Sequence, residues 1–212
     1  MVAMLGANSI ARVRNLGEKI PPSILKGKEY SQHTSTIQDR FVSVAPDLEG
    51  INAYRYQRQM SPGIQEFMEA LLFQHYLETE SILSPTDSAK RIPEDILLTE
   101  DDYILGLFDM TGELMRYAIT QMATNGELPA SKTAGGSSIL AVLQDLRSQL
   151  EALDCSGSFG LTKNIDQKMT TTRASVEKVE NAVYSMTVRG RERPQGWNPG
   201  LDAPREVGEV EG

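Results

Sequence analysis

The stretch TEDDYILGLFDMTGELMRYAITQMATNG, residues 99–126, decides the fold. Thr99 with Asp102 three residues on has the form of a capping box in which Asp replaces the usual Glu or Gln. Asn125-Gly126 supplies the stop signal. Between these signals the segment is apolar nearly all round, so it predicts a helix from Thr99 to about Thr124 that lies at the centre of the fold. Asp109 and Glu113 interrupt the apolar run at a spacing of four, which puts both on one helix face.

Working outward, SPGIQEFMEALLFQHYLETE, residues 61–80, opens with Ser61 in the N-cap position and Pro62 in the first turn. Ile64, Phe67, Met68, Leu71, Leu72 and Tyr76 form a wide apolar stripe along it. Glu66 and Glu69 share a face in its first two turns. Further helices are expected over 28–44, from Ser137 to Leu153 and from about Thr162 to Gly190, with Glu49 to Met60 helical or a kinked continuation. Phe41-Val42-Ser43-Val44 reads as a frayed helix end, and Ser84 to Pro93 as a connector broken by Pro85 and Pro93. No alternating strand of useful length is found. The expected fold is all-α: an antiparallel bundle of about six helices. Residues 28–193 form its domain, residues 1–27 an irregular start, and residues 194–212 a disordered acidic tail.

A chain of 212 residues with 40% hydrophobic composition can bury the core of one domain. Its net charge of −8 makes it a poor stand-alone binder of a polyanion, so any nucleic-acid substrate calls for a basic partner subunit. Cys155 is the single cysteine, which excludes an intrachain disulfide. No apolar run is long enough to span a bilayer, and the chain reads as soluble and intracellular.

The chemistry rests on the carboxylates. Burying one is costly, and four close together repel unless a cation sits among them. An oxygen-only set favours Mg²⁺ or Mn²⁺ over redox iron, whose bundle sites usually add histidines. In phosphoryl chemistry such an ion binds a phosphate oxygen and activates water, with a spare carboxylate as general base. Each pair also has a plainer reading. Glu66 and Glu69 would complement a helix N-terminus, and Asp109 and Glu113 would form an internal salt bridge to Arg116. Arg55 and Arg58, set among Tyr54 and Tyr56, and Arg189 and Arg191, at the end of the last helix, are candidate RNA contacts. Packing and surface charge for the first pair, and helix-end complementation for the second, are the plainer readings.

Three segments carry a resemblance: INAYRYQRQMSPGIQEFMEALLFQHYLETESIL (51–83), DDYILGLFDMTGELMRYAI (101–119) and SVEKVENAVYSMTVRGRE (175–192). Their content, order and spacing resemble the signature stretches of the translin-associated factor X branch of the translin superfamily, over roughly residues 37–193. The resemblance implies an all-α bundle that assembles with translin into a hollow, octamer-like hetero-oligomer enclosing single-stranded RNA, with single-stranded DNA as a related ligand. It implies a Mg²⁺-dependent endoribonuclease, with translin supplying most of the RNA affinity. Passenger-strand fragments of small interfering RNA and transfer RNA precursors are the implied substrates, in cytoplasm and nucleus. The family's acidic catalytic and metal-binding residues carry over onto Glu66, Glu69, Asp109 and Glu113. Apart from the resemblance, Arg116 joins the other arginines as a candidate RNA contact. A non-catalytic scaffold that binds translin is the alternative. The family opens with a long charged helix before its Pro-Pro region. Here little beyond Ser9 to Leu16 corresponds to it, so that helix is expected to be shortened.

Overall fold

The computed structural model describes residues 36–189 apart from 38, 130, 132–135 and 156–158. The expected irregular start (1–27), the acidic tail (194–212) and the front of the helix expected over 28–44 lie outside these residues. Residues 39–44 are helical, and a 3₁₀ turn, Ala45–Leu48, follows with Pro46 near its start. Then come α1 (Ile51–Arg55), α2 (Gln57–Thr79), α3 (Pro85–Ala89), α4 (Glu100–Asn125), α5 (Ile139–Glu151) and α6 (Phe159–Arg189). Among the described residues there is no strand, and the fold is the all-α bundle expected.

α4 forms for the reasons its sequence gives. Thr99 Oγ1 accepts the Asp102 N–H at 3.1 Å, satisfying one orphan donor of the first turn. At the other end Gly126 adopts φ 78° and its N–H reaches the Met122 carbonyl at 2.9 Å. Ser138 caps α5 in the same way through the Ala141 N–H at 3.2 Å. Ser84 caps the short α3, where Pro85 occupies the first turn instead of breaking the chain.

α2 departs from expectation. It starts at Gln57, so Pro62 lies inside the helix and Ser61 is not its cap. Only Tyr56 separates α1 from α2, and the two make one helical run with a break. Ser61 is taken up elsewhere: its hydroxyl donates to Asp102 on α4.

The strict antiparallel order is also corrected. α5 and α6 are antiparallel, since Gln144 meets Glu180 at 2.6 Å while Glu151 meets Arg173 at 2.7 Å. The central pair, α2 and α4, runs parallel: Gln57, Ser61 and Gln65 meet Asp102, and the Phe73 ring packs edge-on against Tyr117 at 6.3 Å. The segment from 80 to 99 makes this possible by carrying the chain back to the starting end. It buries Leu83, Ile92 and Ile96 on the way, and Tyr103 holds it by donating to the Leu83 carbonyl at 2.8 Å.

The core sits between these helices. Ile64, Met68 and Leu72 from α2 meet Met110, Leu114 and Met122 from α4, with Leu143 of α5 and Val176 and Val179 of α6 closing it. Phe41 packs edge-on against Phe67 at 5.1 Å and ties the segment before α1 to α2.

Candidate active site

The site begins at Gly106, where the two parallel helices touch. A Cβ at this position would lie 2.6 Å from the Met68 Cβ, 3.0 Å from the Gln65 carbonyl oxygen and 3.2 Å from the Glu69 nitrogen. Only a glycine permits that approach, and it brings the α2 backbone carrying Glu66 and Glu69 directly onto α4. Asp102, Gly106, Asp109 and Glu113 follow one another at spacings of four, three and four, so they form one stripe of α4. Its first two members touch α2. Asp109 and Glu113 continue the stripe along α4, where Asp109 is met from α6 rather than α2.

Asp102 fixes the register of that seam. It is 1% exposed. Its Oδ2 accepts from Gln57 Nε2 at 2.6 Å and Thr99 Oγ1 at 2.7 Å; its Oδ1 accepts from Ser61 Oγ and from Gln65 Nε2 at 3.0 Å. Gln57, Ser61 and Gln65 lie four apart on α2, so three successive turns converge on one carboxylate.

Of the four carboxylates, Glu69 and Glu113 are buried, at 6% and 7% exposure, while Glu66 and Asp109 are half-buried. Glu113 accepts two bonds from Arg116 Nη1, at 3.1 and 3.2 Å, which is the plainer pairing its spacing suggested. Asp109 does not pair with Arg116; its Oδ1 is met by the Lys168 ammonium from α6. The helix-end reading of Glu66 and Glu69 weakens, because α2 starts at Gln57 and both residues lie beyond its first two turns.

Four carboxylates with no nitrogen or sulfur ligand suit a hard divalent ion in donor chemistry. Among the described residues no three acidic, histidine or cysteine side chains stand together as a ready cation group. The α4 carboxylates are instead turned to Lys168 and Arg116. The four match such an ion in donor type only: the structure does not gather three of them, and two are engaged in ion pairs.

Among the candidate RNA contacts, Arg55 and Arg58 are exposed beside Tyr54, 72% exposed, and Tyr56. Tyr56 and Arg58 line a surface cleft of about 830 Å³ with Asp47, Asn52 and Pro62. Arg116 is held by Glu113, Arg189 is the last residue of α6, and Arg191 lies outside the described residues. Sequence reading missed Gly106, Lys168 and the buried role of Asp102. A glycine in the middle of an apolar helix was a usable signal for the first; nothing local pointed to Lys168. No helix among the described residues is long and apolar enough to cross a membrane.

The Translin family model matches residues 7–190. The chain is 30% identical over 183 residues to Translin-associated protein X of Mus musculus and 31% identical over 183 residues to that of Rattus norvegicus. In each case 75% of this chain and 60% of the relative are covered. A Translin-associated protein X homolog of Schizosaccharomyces pombe is 30% identical over 153 residues, covering 72% of this chain and 62% of the relative. The chain thus spans about 60% of the length of these curated relatives.

Proposed function

The chain belongs to the Translin family, and from that premise we propose that it is the metal-dependent endoribonuclease subunit of a hetero-oligomer with translin. The observation that carries this reading is the stripe Asp102, Gly106, Asp109, Glu113, pressed at its glycine against the turn of α2 that bears Glu66 and Glu69. Glu66, Glu69, Asp109 and Glu113 would hold Mg²⁺, or Mn²⁺ in its place. When bound, such an ion supplies a Lewis acid at a phosphate oxygen of the scissile bond. Glu66, the more open of the α2 pair, would be the one to act as general base on the attacking water when it is left free of the ion. Buried Glu69 and Glu113 act as fixed charges whose position the packing of α2 on α4 sets.

Substrate grip is divided between subunits. A chain of net charge −8 neutralises few phosphates by itself, so translin supplies most of the attraction. This subunit adds a stacking surface at Tyr54 and Tyr56 with Arg55 and Arg58 beside it, suited to single-stranded RNA and to single-stranded DNA. Fragments of small interfering RNA passenger strands and transfer RNA precursors, in cytoplasm and nucleus, are the substrates proposed.

One observation favours a second reading, a non-catalytic scaffold. Both α4 carboxylates already carry a cationic partner, as purely structural carboxylates do. Reconstitution with translin and Mg²⁺, followed by cleavage of single-stranded RNA, separates the two. Under the enzymatic reading Glu66→Ala and Asp109→Ala each lower the rate by about 10²-fold or more while the complex still elutes at its full size. Full activity in either variant sinks the catalytic assignment of these carboxylates.

A further inference from the structure

α4 ends at Asn125, the only asparagine of the chain that a glycine follows. The helix end itself demands that glycine. Gly126 stands at φ 78°, a left-handed conformation that a side chain would strain. The same missing Cβ leaves the Gly126 nitrogen unhindered toward the side-chain amide of the residue before it. While the helix end is closed, both groups are engaged. The Gly126 N–H donates to the Met122 carbonyl at 2.9 Å, and Asn125 Nδ2 donates to Gln121 Oε1 at 2.8 Å. Thr124, Asn125, Gly126 and Glu127 are all exposed, so hydrogen bonds rather than packing keep these residues in place. Exposed last turns are where helices open first.

We propose that Asn125 is a site of spontaneous deamidation, a covalent modification gated by opening of the last turn of α4. Once the turn opens, the Gly126 nitrogen gives its proton to water or hydroxide and attacks Asn125 Cγ. The N–Cγ bond forms, the Cγ–Nδ2 bond breaks, and the amide nitrogen takes a proton and leaves as ammonia. Water then opens the cyclic succinimide. Cleavage of the new N–Cγ bond leaves an aspartate; cleavage of the original peptide bond to Gly126 leaves an isoaspartate, with an extra carbon in the main chain. Nothing is oxidised or reduced, and water is the only co-reactant. Either product opposes re-closure. It sets a carboxylate at the negative end of the α4 dipole, next but one to Glu127. Isoaspartate also shifts the Gly126 N–H out of register with the Met122 carbonyl. Met122, 2% exposed, belongs to the same turn, so the change at the surface reaches the core.

Ageing of the full chain in mildly alkaline buffer, followed by peptide mapping in a mass spectrometer, tests this directly. Asn125 is expected to lose its amide to a mixture of aspartate and isoaspartate. The loss should run on the order of tenfold more slowly than in the same chain held unfolded in urea. Gln121→Ala, checked for an unchanged helical circular dichroism spectrum, releases the Asn125 amide and should speed the loss about twofold. In the aged chain the Gly126 amide should exchange its hydrogen faster than in the fresh one. An intact Asn125 in the folded chain, at a time when the unfolded chain has converted, overturns the proposal. So does conversion at one rate in both states, which removes the gate.

Discussion

A carboxylate at 1% exposure with no cation against it is costly unless its lone pairs are filled, and at Asp102 four side-chain donors fill them. The two oxygens each receive two donors, so the site has no place for an amide NH₂. Asp102→Asn keeps the shape but turns one oxygen into a donor. That donor faces either Gln57 and Thr99 or Ser61 and Gln65. We expect a loss of about 1–3 kcal/mol, read as a lower midpoint in urea unfolding; an unchanged midpoint means the network contributes nothing. The half of Asp102 that caps α4 was legible, because Thr99 lies three residues away. The half that binds α2 was not, because its donors lie 37 to 45 residues away and no local spacing encodes that distance. The same rule sorts the ion pairs. Glu113 with Arg116 is an i,i+3 pair and could be read; Asp109 with Lys168 spans 59 residues and could not.

At the scale of the helix the two glycines of α4 do opposite things. A methyl group on Gly106 would collide with Met68 and with the α2 backbone, whereas a methyl group on Gly112 meets nothing within 4 Å. Gly106→Ala should therefore part α2 from α4 at a cost of about 1–3 kcal/mol. Gly112→Ala should stabilise by up to about 1 kcal/mol, since alanine loses less backbone entropy in a helix. Chemical denaturation of the pair decides the matter, and equal effects of one sign would remove the close approach from the account. Helix ends with a side-chain cap, such as Thr99 and Ser138, were readable from the chain. Ser61-Pro62 carries the same signal but lies within α2, because Ser61 is recruited by Asp102 and a helix can accept Pro62 one turn beyond its start when packing holds it. That shift moves Glu66 and Glu69 deeper into α2, away from the dipole end where they had a plain explanation.

For the whole molecule, composition and periodicity made the all-α class legible, while the relative direction of the helices was not. Direction is set by the path of the 80–99 connector and by contacts such as Tyr103 with Leu83, which no helical repeat announces. The parallel run of α2 and α4 has a consequence one to two turns beyond the carboxylate pairs. There Tyr76 and Tyr117 come together beside Glu80, near the start of α5 at Ile139. Burial first, then the Glu80 charge, then Tyr117, push the Tyr76 phenol from its ordinary 10.0 up to about 12. Burial and Glu80 raise Tyr117 in the same direction. A phenol whose pKa is higher folded than unfolded holds its proton more tightly in the fold, so its contribution to stability is complete below pH 10 and is lost as pH climbs toward 12. Thermal melts taken from pH 9 to 12 should be level to about pH 10 and then fall, with Tyr76→Phe falling less steeply because one of the raised phenols is gone. Parallel decline of the variant and the unsubstituted chain would place the alkaline weakness elsewhere and detach Tyr76 from it.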